Sequence, residues 1–372
     1  MVMVAPHRLY RINVRDEVLD DLRDRLARTR WPDEAEGAGW EYGVPVAWLR
    51  ELCAYWRDEF DWRSVEARLN EWPQYLAHIQ GTPIHYLHVR GTTPSPVPLL
   101  ITVGWPSTFA EVLPLLPYLT DFDVVVPTLP GFGFSSPYTR GGPRRVHDLW
   151  ATLMTDLGYE RFAATGSDIG ARVTSRLGYY HPDRLLGLHL SSVDIEQPDP
   201  LPDDLTEAER DYLARVERWE RTQGGYAHIQ ATAPQTLAYG LADSPAGLAA
   251  WIMEKFRAWS DCDGDIYRRF GLDDLLTTTT IYWATGTINS ANRSYYESAH
   301  DPEPMRLPPG TRIEVPTAIA MFPGEAELVV PRSMVERCYR VVRWTDMPRG
   351  GHFAAFEEPE LLAADLRATF LG

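Results

Sequence analysis

The sequence predicts an α/β fold in which a mostly parallel sheet carries helices on both faces. Two observations support this prediction. Short apolar runs alternate with helical patterns through the middle of the chain, which is typical of parallel strands that are buried on both faces. The alternation stops near residue 196 and resumes near residue 306, so a helical block is inserted into the sheet.

Residues 1–90 are predicted to form a helical extension that ends in a hairpin. Asp16 to Arg30 and Val46 to Trp56 each place apolar side chains on one face at helical spacing. Tyr75 to Ile79 and Ile84 to Val89 then flank a Gln-Gly-Thr-Pro turn, which predicts a β-hairpin.

The sheet itself is predicted in two parts, residues 91–195 and residues 306–372. Its strands are expected at the apolar runs 97–103, 124–126, 162–165, 185–190, 315–322 and 341–345. Helices are expected between them and at the C-terminus, at 146–157, 171–180 and 358–370. Residues 196–305 begin with a proline-rich segment, continue as helical, Trp- and Tyr-rich sequence, and are predicted to form an inserted helical cap.

Charge and composition exclude several classes of protein. The formal net charge of −16 over 372 residues argues against nucleic acid or anionic lipid as a partner, since both require clustered Lys and Arg. The three cysteines are far apart and odd in number, so neither a zinc site nor a disulfide framework is indicated. We find no signal peptide and no apolar run long enough for a membrane anchor, and therefore expect a cytoplasmic protein.

The aromatic content is high, with 13 Trp, 18 Tyr and 12 Phe. Large aromatic side chains can fill a core, or they can line a pocket for an apolar ligand. Composition alone does not separate these two uses.

The pentapeptide Gly166-Ser167-Asp168-Ile169-Gly170 lies between a predicted strand and a predicted helix. This pattern is typical of a nucleophile elbow, whose flanking glycines permit a strained turn that raises the central side chain above the sheet. Asp168 is that central residue. Ser167 is excluded because the residues two positions away, Thr165 and Ile169, cannot relieve such a turn. An ordinary turn with an aspartate N-cap is the alternative.

An aspartate nucleophile indicates alkylation chemistry rather than acylation. The carboxylate displaces a leaving group from an sp³ carbon and forms an ester, which water must then hydrolyse. Hydrolysis needs a general base with an orienting carboxylate. His352 in a glycine-rich loop is the predicted base, with a solvated loop histidine as the alternative. Glu325 is the predicted acid and Glu327 its rival; the order Asp168, Glu325, His352 is that of α/β-hydrolases.

Most of the chain resembles the epoxide hydrolases of the microsomal type, a branch of the α/β-hydrolase fold. The similar segments include the N-terminal helices and hairpin, PTLPGFGFS (127–135), HPDR (181–184), IYWATGTINSANRSYYE (281–297) and MPRGGHFAAFEEPELLAADLR (347–367). The resemblance implies that Asp168 is the nucleophile, His352 the base and Glu325, rather than Glu327, the orienting acid.

The same resemblance implies two ring-opening tyrosines in the cap, Tyr226 and Tyr295. Phenols suit this role because an alkoxide leaves poorly unless it is hydrogen-bonded or protonated as the C–O bond breaks. By spacing alone Tyr296 is nearly as good a candidate as Tyr295.

The chain departs from the family pattern at two positions. Val103 stands where the family's oxyanion motif has histidine before Gly-Trp-Pro, and Ile169 follows the nucleophile where tryptophan is common. The implied oxyanion donors are the backbone N–H groups of Trp105 and Ile169, which survive both changes. We expect an altered substrate scope or slower ester hydrolysis.

The sequence therefore predicts an epoxide hydrolase that needs no cofactor and no metal and converts an apolar epoxide to a vicinal diol. The segment 131–136 does not complete a GxGxxG phosphate loop, because it ends in Ser136. A haloalkane dehalogenase-like hydrolase and a hydrolase-like binding protein with weak turnover are the alternatives. A homodimer is also possible.

Overall fold

The computed structural model describes residues 7–137, 145–191, 201–300, 310–325 and 328–372. The strands of this described part form a single sheet in the order β1-β2-β3-β5-β4-β6-β7-β8-β9. Their bounds are β1 Arg8–Leu9, β2 Gln74–Ile79, β3 Thr82–Val89, β4 Val97–Thr102, β5 Phe122–Pro127, β6 Phe162–Gly166, β7 Leu185–Leu190, β8 Ile313–Met321 and β9 Tyr339–Asp346.

Helices occupy most of the connections between these strands. The α-helices are α1 Asp16–Ala27, α2 Val46–Asp58, α3 Trp62–Leu69, α4 Val146–Asp156, α5 Ile169–Tyr180, α6 Glu207–Thr222, α7 Gly225–Thr232, α8 Pro234–Asp243, α9 Pro245–Trp259, α10 Leu272–Thr285, α11 Ile288–Ala299, α12 Arg332–Cys338, α13 Ala354–Glu357 and α14 Pro359–Phe370. Short 3₁₀ helices lie at Phe109–Val112, Leu116–Tyr118, Pro182–Arg184, Ile266–Arg268 and Pro323–Glu325.

The sheet is mostly parallel, as the sequence predicts. Every neighbouring pair from β5 to β9 is parallel, for example with Leu99 of β4 opposite Ala163 of β6. The predicted hairpin is present as β2 and β3, and β3 joins β5 in antiparallel pairing. All six residues of β5 are buried, which is expected of a strand that has helices on both faces.

The connections after four parallel strands converge at one edge of the sheet. The loops that follow β4, β6, β8 and β9 all leave from carboxyl ends, which parallel strands place on the same side. These loops carry Trp105, Asp168, Glu325 and His352. The topology alone therefore brings distant parts of the sequence to one place.

The chain between β7 and β8 contains only helices in its described part, α6 to α11 and a 3₁₀ turn. Helix α11 packs on α7 and α8, while α9 packs on α8 and α10. The N-terminal helices α1 and α2 also contact α9, and α3 contacts α10. The N-terminal segment and the inserted helices are thus packed against each other. No helix in the described ranges is both long enough and apolar enough to cross a membrane.

Candidate active site

Asp168 occupies a strained turn between β6 and α5. Its backbone has φ 52° and ψ −127°, a conformation that is unusual for any residue other than glycine. A Cβ on Gly166 would lie 2.3 Å from the carbonyl oxygen of Gly170, and a Cβ on Gly170 would lie 1.9 Å from that of Thr102. The Gly-x-Asp-x-Gly pattern is therefore a steric requirement of this turn.

The loop after β4 lies directly against the Asp168 carboxylate. The backbone N–H of Trp105 donates to Asp168 Oδ1 at 2.9 Å. A Cβ on Gly104 would come within 1.9 Å of the same oxygen, so only glycine fits there. Val103 is buried just before this loop, and Ile169 begins α5 as a half-buried side chain.

His352 lies between the two carboxylates that the sequence predicts as its partners. Its Nε2 is 3.7 Å from Asp168 Oδ2, and its Nδ1 is 2.5 Å from Glu325 Oε1. A carboxylate only accepts, so Nδ1 carries the proton and Nε2 faces the nucleophile. The structure thus brings Asp168, His352 and Glu325 together. Glu327, the rival acid, lies outside the described residues.

The electrostatics of this cluster favour a charged imidazole in the free protein. Burial is the largest single influence and lowers the pKa of His352. The hydrogen bond and charge of Glu325 and the charges of Asp168 and Glu111 together outweigh it. The net effect raises the pKa of His352 to about 9. Near neutral pH an imidazolium therefore lies between two carboxylates.

Two glycine-rich loops must touch for Glu325 to reach His352. The N–H of Gly324 donates to the carbonyl of Gly350 at 2.8 Å, and a Cβ on Gly324 would lie 2.8 Å from the Cα of Gly351. The backbone N–H of His352 donates in turn to the carbonyl of Trp259 at 2.9 Å. The last residue of α9 therefore fixes the loop that carries the imidazole.

Four charged residues hold the His352 loop in place, and sequence reasoning named none of them. Asp261 accepts from the N–H of Gly350 at 2.8 Å and pairs with Arg269 at 2.7 Å. Arg269 also pairs with buried Glu358 at 2.8 Å. Glu357 accepts from the N–H of Asp261 at 2.8 Å. These partners lie far apart in sequence, so no local pattern could have revealed them.

Tyr226 at the start of α7 and Tyr295 on α11 meet where these two helices pack on each other. Their ring centroids are 6.1 Å apart, and their hydroxyl groups are joined by a hydrogen bond. Trp105 stacks on Tyr226, with centroids 5.1 Å apart and planes at 8°, and meets Tyr295 edge-on at 6.1 Å. Both tyrosines therefore pack on the residue whose N–H contacts Asp168.

The phenol of Tyr295 stays protonated over the whole physiological pH range. Burial raises its pKa well above the ordinary value, and Tyr226 and the negative charge of Asp168 raise it further. Tyr296 is placed differently, since its ring stacks on His300 with centroids 4.0 Å apart. Of the two neighbours, Tyr295 is the one that the structure brings to Tyr226 and Trp105.

Trp259 and Glu111 also belong to this region, although sequence reasoning named neither. The ring centroid of Trp259 is 5.2 Å from that of Tyr226 and 5.0 Å from that of His352. Burial raises the pKa of the Glu111 carboxyl to about 7, and the charges of Glu357 and Asp168 also act upward. Opposing these, a hydrogen bond from Ser107 and the charge of His352 lower it. The high aromatic content was the only signal in the sequence that pointed to Trp259.

Two family models match the chain. One, described as epoxide hydrolase N terminus, matches residues 7–112. The other, described as alpha/beta hydrolase fold, matches residues 97–234. Together they cover the N-terminal helices, the hairpin, the elbow and the first part of the inserted helices.

Relatives of known sequence and structure match over nearly the whole chain. Epoxide hydrolase 1 of Oryctolagus cuniculus is 36% identical over 98% of this chain and 88% of its own length. The crystal structure of juvenile hormone epoxide hydrolase from Bombyx mori matches with a TM-score of 0.86 and 29% identity, covering 98% of this chain and 93% of that one. The structure of Aspergillus niger epoxide hydrolase matches with a TM-score of 0.83 and 30% identity, covering 98% and 96%. The chain belongs to the epoxide hydrolase family of the microsomal type, with the α/β-hydrolase fold.

Proposed function

We propose that the protein hydrolyses apolar epoxides to vicinal diols through a covalent ester on Asp168. The observation that carries this proposal is the arrangement of three groups around one carboxylate. Asp168 has the imidazole of His352 on one oxygen and the Trp105 N–H on the other. The hydrogen-bonded pair of phenols packs on the same Trp105.

The first step opens the epoxide. A carboxylate oxygen of Asp168 attacks one ring carbon and forms a C–O ester bond, while the bond from that carbon to the epoxide oxygen breaks. The bonding electrons move to the epoxide oxygen. Tyr226 and Tyr295 hydrogen-bond this oxygen, and one of them gives it a proton. The raised pKa of Tyr295 keeps a donor available throughout the neutral pH range.

The second step hydrolyses the ester. His352 removes a proton from a water molecule, and the resulting hydroxide attacks the ester carbonyl carbon. The backbone N–H groups of Trp105 and Ile169 stabilise the oxyanion. The tetrahedral intermediate collapses and the diol leaves. His352 keeps the proton that it took from water, which restores the imidazolium of the free protein.

The two steps are coupled by charge. In the free protein Asp168 helps to raise the pKa of His352, so the imidazole is protonated and poor as a base. Alkylation of Asp168 removes one negative charge that lies 3.7 Å from Nε2. The pKa of His352 therefore falls when the ester forms. Its proton passes to the tyrosinate that ring opening leaves, and the neutral imidazole is then available as the base for hydrolysis.

The surroundings of the site favour an apolar, aryl-bearing epoxide. Trp105, Tyr226 and Trp259 pack on one another with ring centroids between 5.1 and 6.1 Å apart. Ile169 gives less bulk than a tryptophan would beside Asp168, so we expect room for bulkier epoxides there. Val103 offers no side-chain hydrogen bond to the oxyanion loop, and we expect slower ester hydrolysis from this.

Incubation with styrene oxide and, separately, with a chloroalkane tests the proposed activity. We expect styrene glycol from the first, no chloride from the second, and no diol from the Asp168→Asn variant. Release of chloride would establish the dehalogenase alternative. Binding of styrene oxide without formation of a diol would establish the alternative of a binding protein and overturn the proposal.

The remaining predictions concern organisation, and we propose them together. Residues 196–305 form a cap over the sheet, residues 1–90 an N-terminal unit, and residues 91–195 and 306–372 the two parts of the core. A cytoplasmic location and a homodimer also stay predictions from the sequence. Fractionation of the source cells and light scattering of the purified protein would check them.

A further inference from the structure

Lys255 is the only lysine in the sequence, which has 35 arginines. It lies on α9 in register with Leu248, Ile252 and Trp259, which are the buried residues of that helix face. Only 5% of Lys255 is exposed. Lysine is among the residues least often buried, because removal of an ammonium from water is costly. The burial of a lysine on this apolar face of α9 therefore needs an explanation in its contacts.

The ammonium of Lys255 lies over the rings of the site. Its Nζ is 4.6 Å from the ring centroid of Tyr226 and 5.6 Å from that of Trp259. Both distances are within the range of a cation–π contact. Its ion-pair partner is Glu254, whose Oε2 is 2.5 Å away and whose side chain is 29% exposed. The positive charge of Lys255 is thus paired with Glu254 on its solvent side and contacts the ring of Tyr226 on its other side.

We propose that Lys255 is a positioning residue that stabilises negative charge on Tyr226 during ring opening. This inference rests on the proposed function. When Tyr226 passes its proton to the epoxide oxygen, the phenolate that remains spreads its charge over the ring, and the nearby ammonium is attracted more strongly to it than to the neutral phenol. Lys255 itself gives up no proton.

A double-mutant cycle measures the effect. Lys255→Met introduces an unbranched side chain that is shorter by one atom, and it removes the charge. Alkylation by styrene oxide is monitored through stopped-flow tryptophan fluorescence, and we expect it to slow by about tenfold. The loss reflects the extra attraction of the ammonium to the phenolate over the neutral phenol. In the Tyr226→Phe background the same change should have little effect, and ester hydrolysis should keep its rate in both. Lys255→Arg should recover part of the loss.

Arg257→Met is the matched control. Arg257 lies on the same helix with its guanidinium 4.4 Å from the ring centroid of Trp40, away from the site. Its loss removes a cation over a ring without touching Tyr226, so alkylation should stay at the wild-type rate. If Lys255→Met is found unfolded by circular dichroism, Lys255→Gln takes its place in the cycle.

The outcomes separate this inference from the proposed function. If Tyr226→Phe is slow but Lys255→Met alkylates at the wild-type rate, the role of Lys255 is refuted and the proposed function stands. If Lys255→Met slows the Tyr226→Phe protein as much as the wild type, Lys255 acts on packing alone and the inference is again refuted. If the Tyr226→Phe protein alkylates at the wild-type rate, Tyr226 is not the proton donor. The assignment of Tyr226 in the proposed function is then wrong, and the role of Lys255 is refuted with it.

Isotope labelling gives a second readout that does not depend on turnover. With ¹³C-lysine the protein shows one set of lysine resonances. We expect the ε-methylene protons to be shielded by ring currents relative to free lysine, and to move toward ordinary values in Tyr226→Leu. Unshifted resonances in the wild type would show that the ammonium does not sit over the ring and would overturn the inference.

Discussion

The charge of the nucleophile helps to set the protonation of the histidine. His352 is flanked by Glu325 and Asp168, and its side chain is only 13% exposed, so solvent does little to weaken these interactions. In the free protein the hydrogen bond and charge of Glu325 and the charge of Asp168 help to raise the pKa of His352 to about 9. The same raised pKa stabilises the fold below a pH of about 6.5, and this contribution is lost as the pH rises through about 9.

The pH dependence of hydrolysis follows from this arrangement. The single-turnover rate of ester hydrolysis should rise with pH and level off below pH 9, because the ester lacks the Asp168 charge that raises the pKa of His352. Glu325→Gln should move the rise in the hydrolysis rate to lower pH and lower the rate at which it levels off. Rapid mixing at a series of pH values, with fluorescence detection, gives both quantities. The pKa of His352 in the free protein can be measured by NMR. If the rate of ester hydrolysis rises with pH around that same pKa, the proposed coupling is contradicted.

The tyrosine pair makes the second prediction at the residue scale. Tyr226→Phe and Tyr295→Phe should each slow alkylation by about a hundredfold, the usual cost of losing one donor to a developing oxyanion. Tyr296→Phe is the matched control, since the Tyr296 ring stacks on His300, and it should change the rate little. Stopped-flow measurement of alkylation compares the three. A slow Tyr296→Phe with a normal Tyr295→Phe would reverse the assignment.

At the scale of the elements, contacts between one loop and helix α9 hold the site in place. The His352 loop is tied to the end of α9 through Trp259, and to Asp261 through Gly350. Asp261 is held by Arg269, which also pairs with Glu358. Helix α9 therefore supports both halves of the proposed reaction, because its last residue, Trp259, contacts both Tyr226 and His352.

Removal of Arg269 should loosen this support. Arg269→Met leaves Asp261 and Glu358 without a shared partner, and we expect a loss of about 2 kcal/mol in unfolding free energy. Ester hydrolysis should slow more than alkylation, since the loop carries the base. Arg268→Met is the control, because its ion pair with Asp263 is exposed and should contribute less than about 0.5 kcal/mol. Urea denaturation measures both. Equal stability of the two variants would contradict this role.

What the sequence could predict depends on how local the signal is. The strands are readable because each is a short apolar run, and the elbow because two glycines flank one aspartate. The tie between Trp259 and His352 and the contact of Lys255 with Tyr226 are not readable, since the partners are joined only by the fold. Tyr295 and Tyr296 are equivalent in spacing, and only the packing of α11 on α7 separates them.

At the scale of the whole molecule, the N-terminal helices are locked to the inserted helices. Trp56 of α2 is 2% exposed, and its indole N–H donates to Thr280 of α10 at 2.9 Å. Tyr55 donates to Asp273 at 2.9 Å. Because α2 also packs on α9, the N-terminal segment supports the helix that carries Lys255 and Trp259. The two regions should therefore unfold as one.

Trp56→Ala tests this dependence. The change creates a large cavity and leaves Thr280 without its partner, so we expect a loss of about 3 to 5 kcal/mol. Calorimetry should show a single transition that moves to lower temperature as a whole. Tyr42→Ala, at a residue that is 80% exposed, should change stability by less than about 0.5 kcal/mol. A separate early transition would show that the N-terminal helices unfold independently.

Mass spectrometry of a trapped ester tests the central claim most directly. His352→Gln should still allow Asp168 to attack, but it removes the base that hydrolyses the ester. After incubation with styrene oxide, the intact mass should increase by one substrate molecule, and peptide sequencing should place the adduct on Asp168. An adduct on another residue, or full turnover to the diol without His352, would contradict the mechanism proposed here.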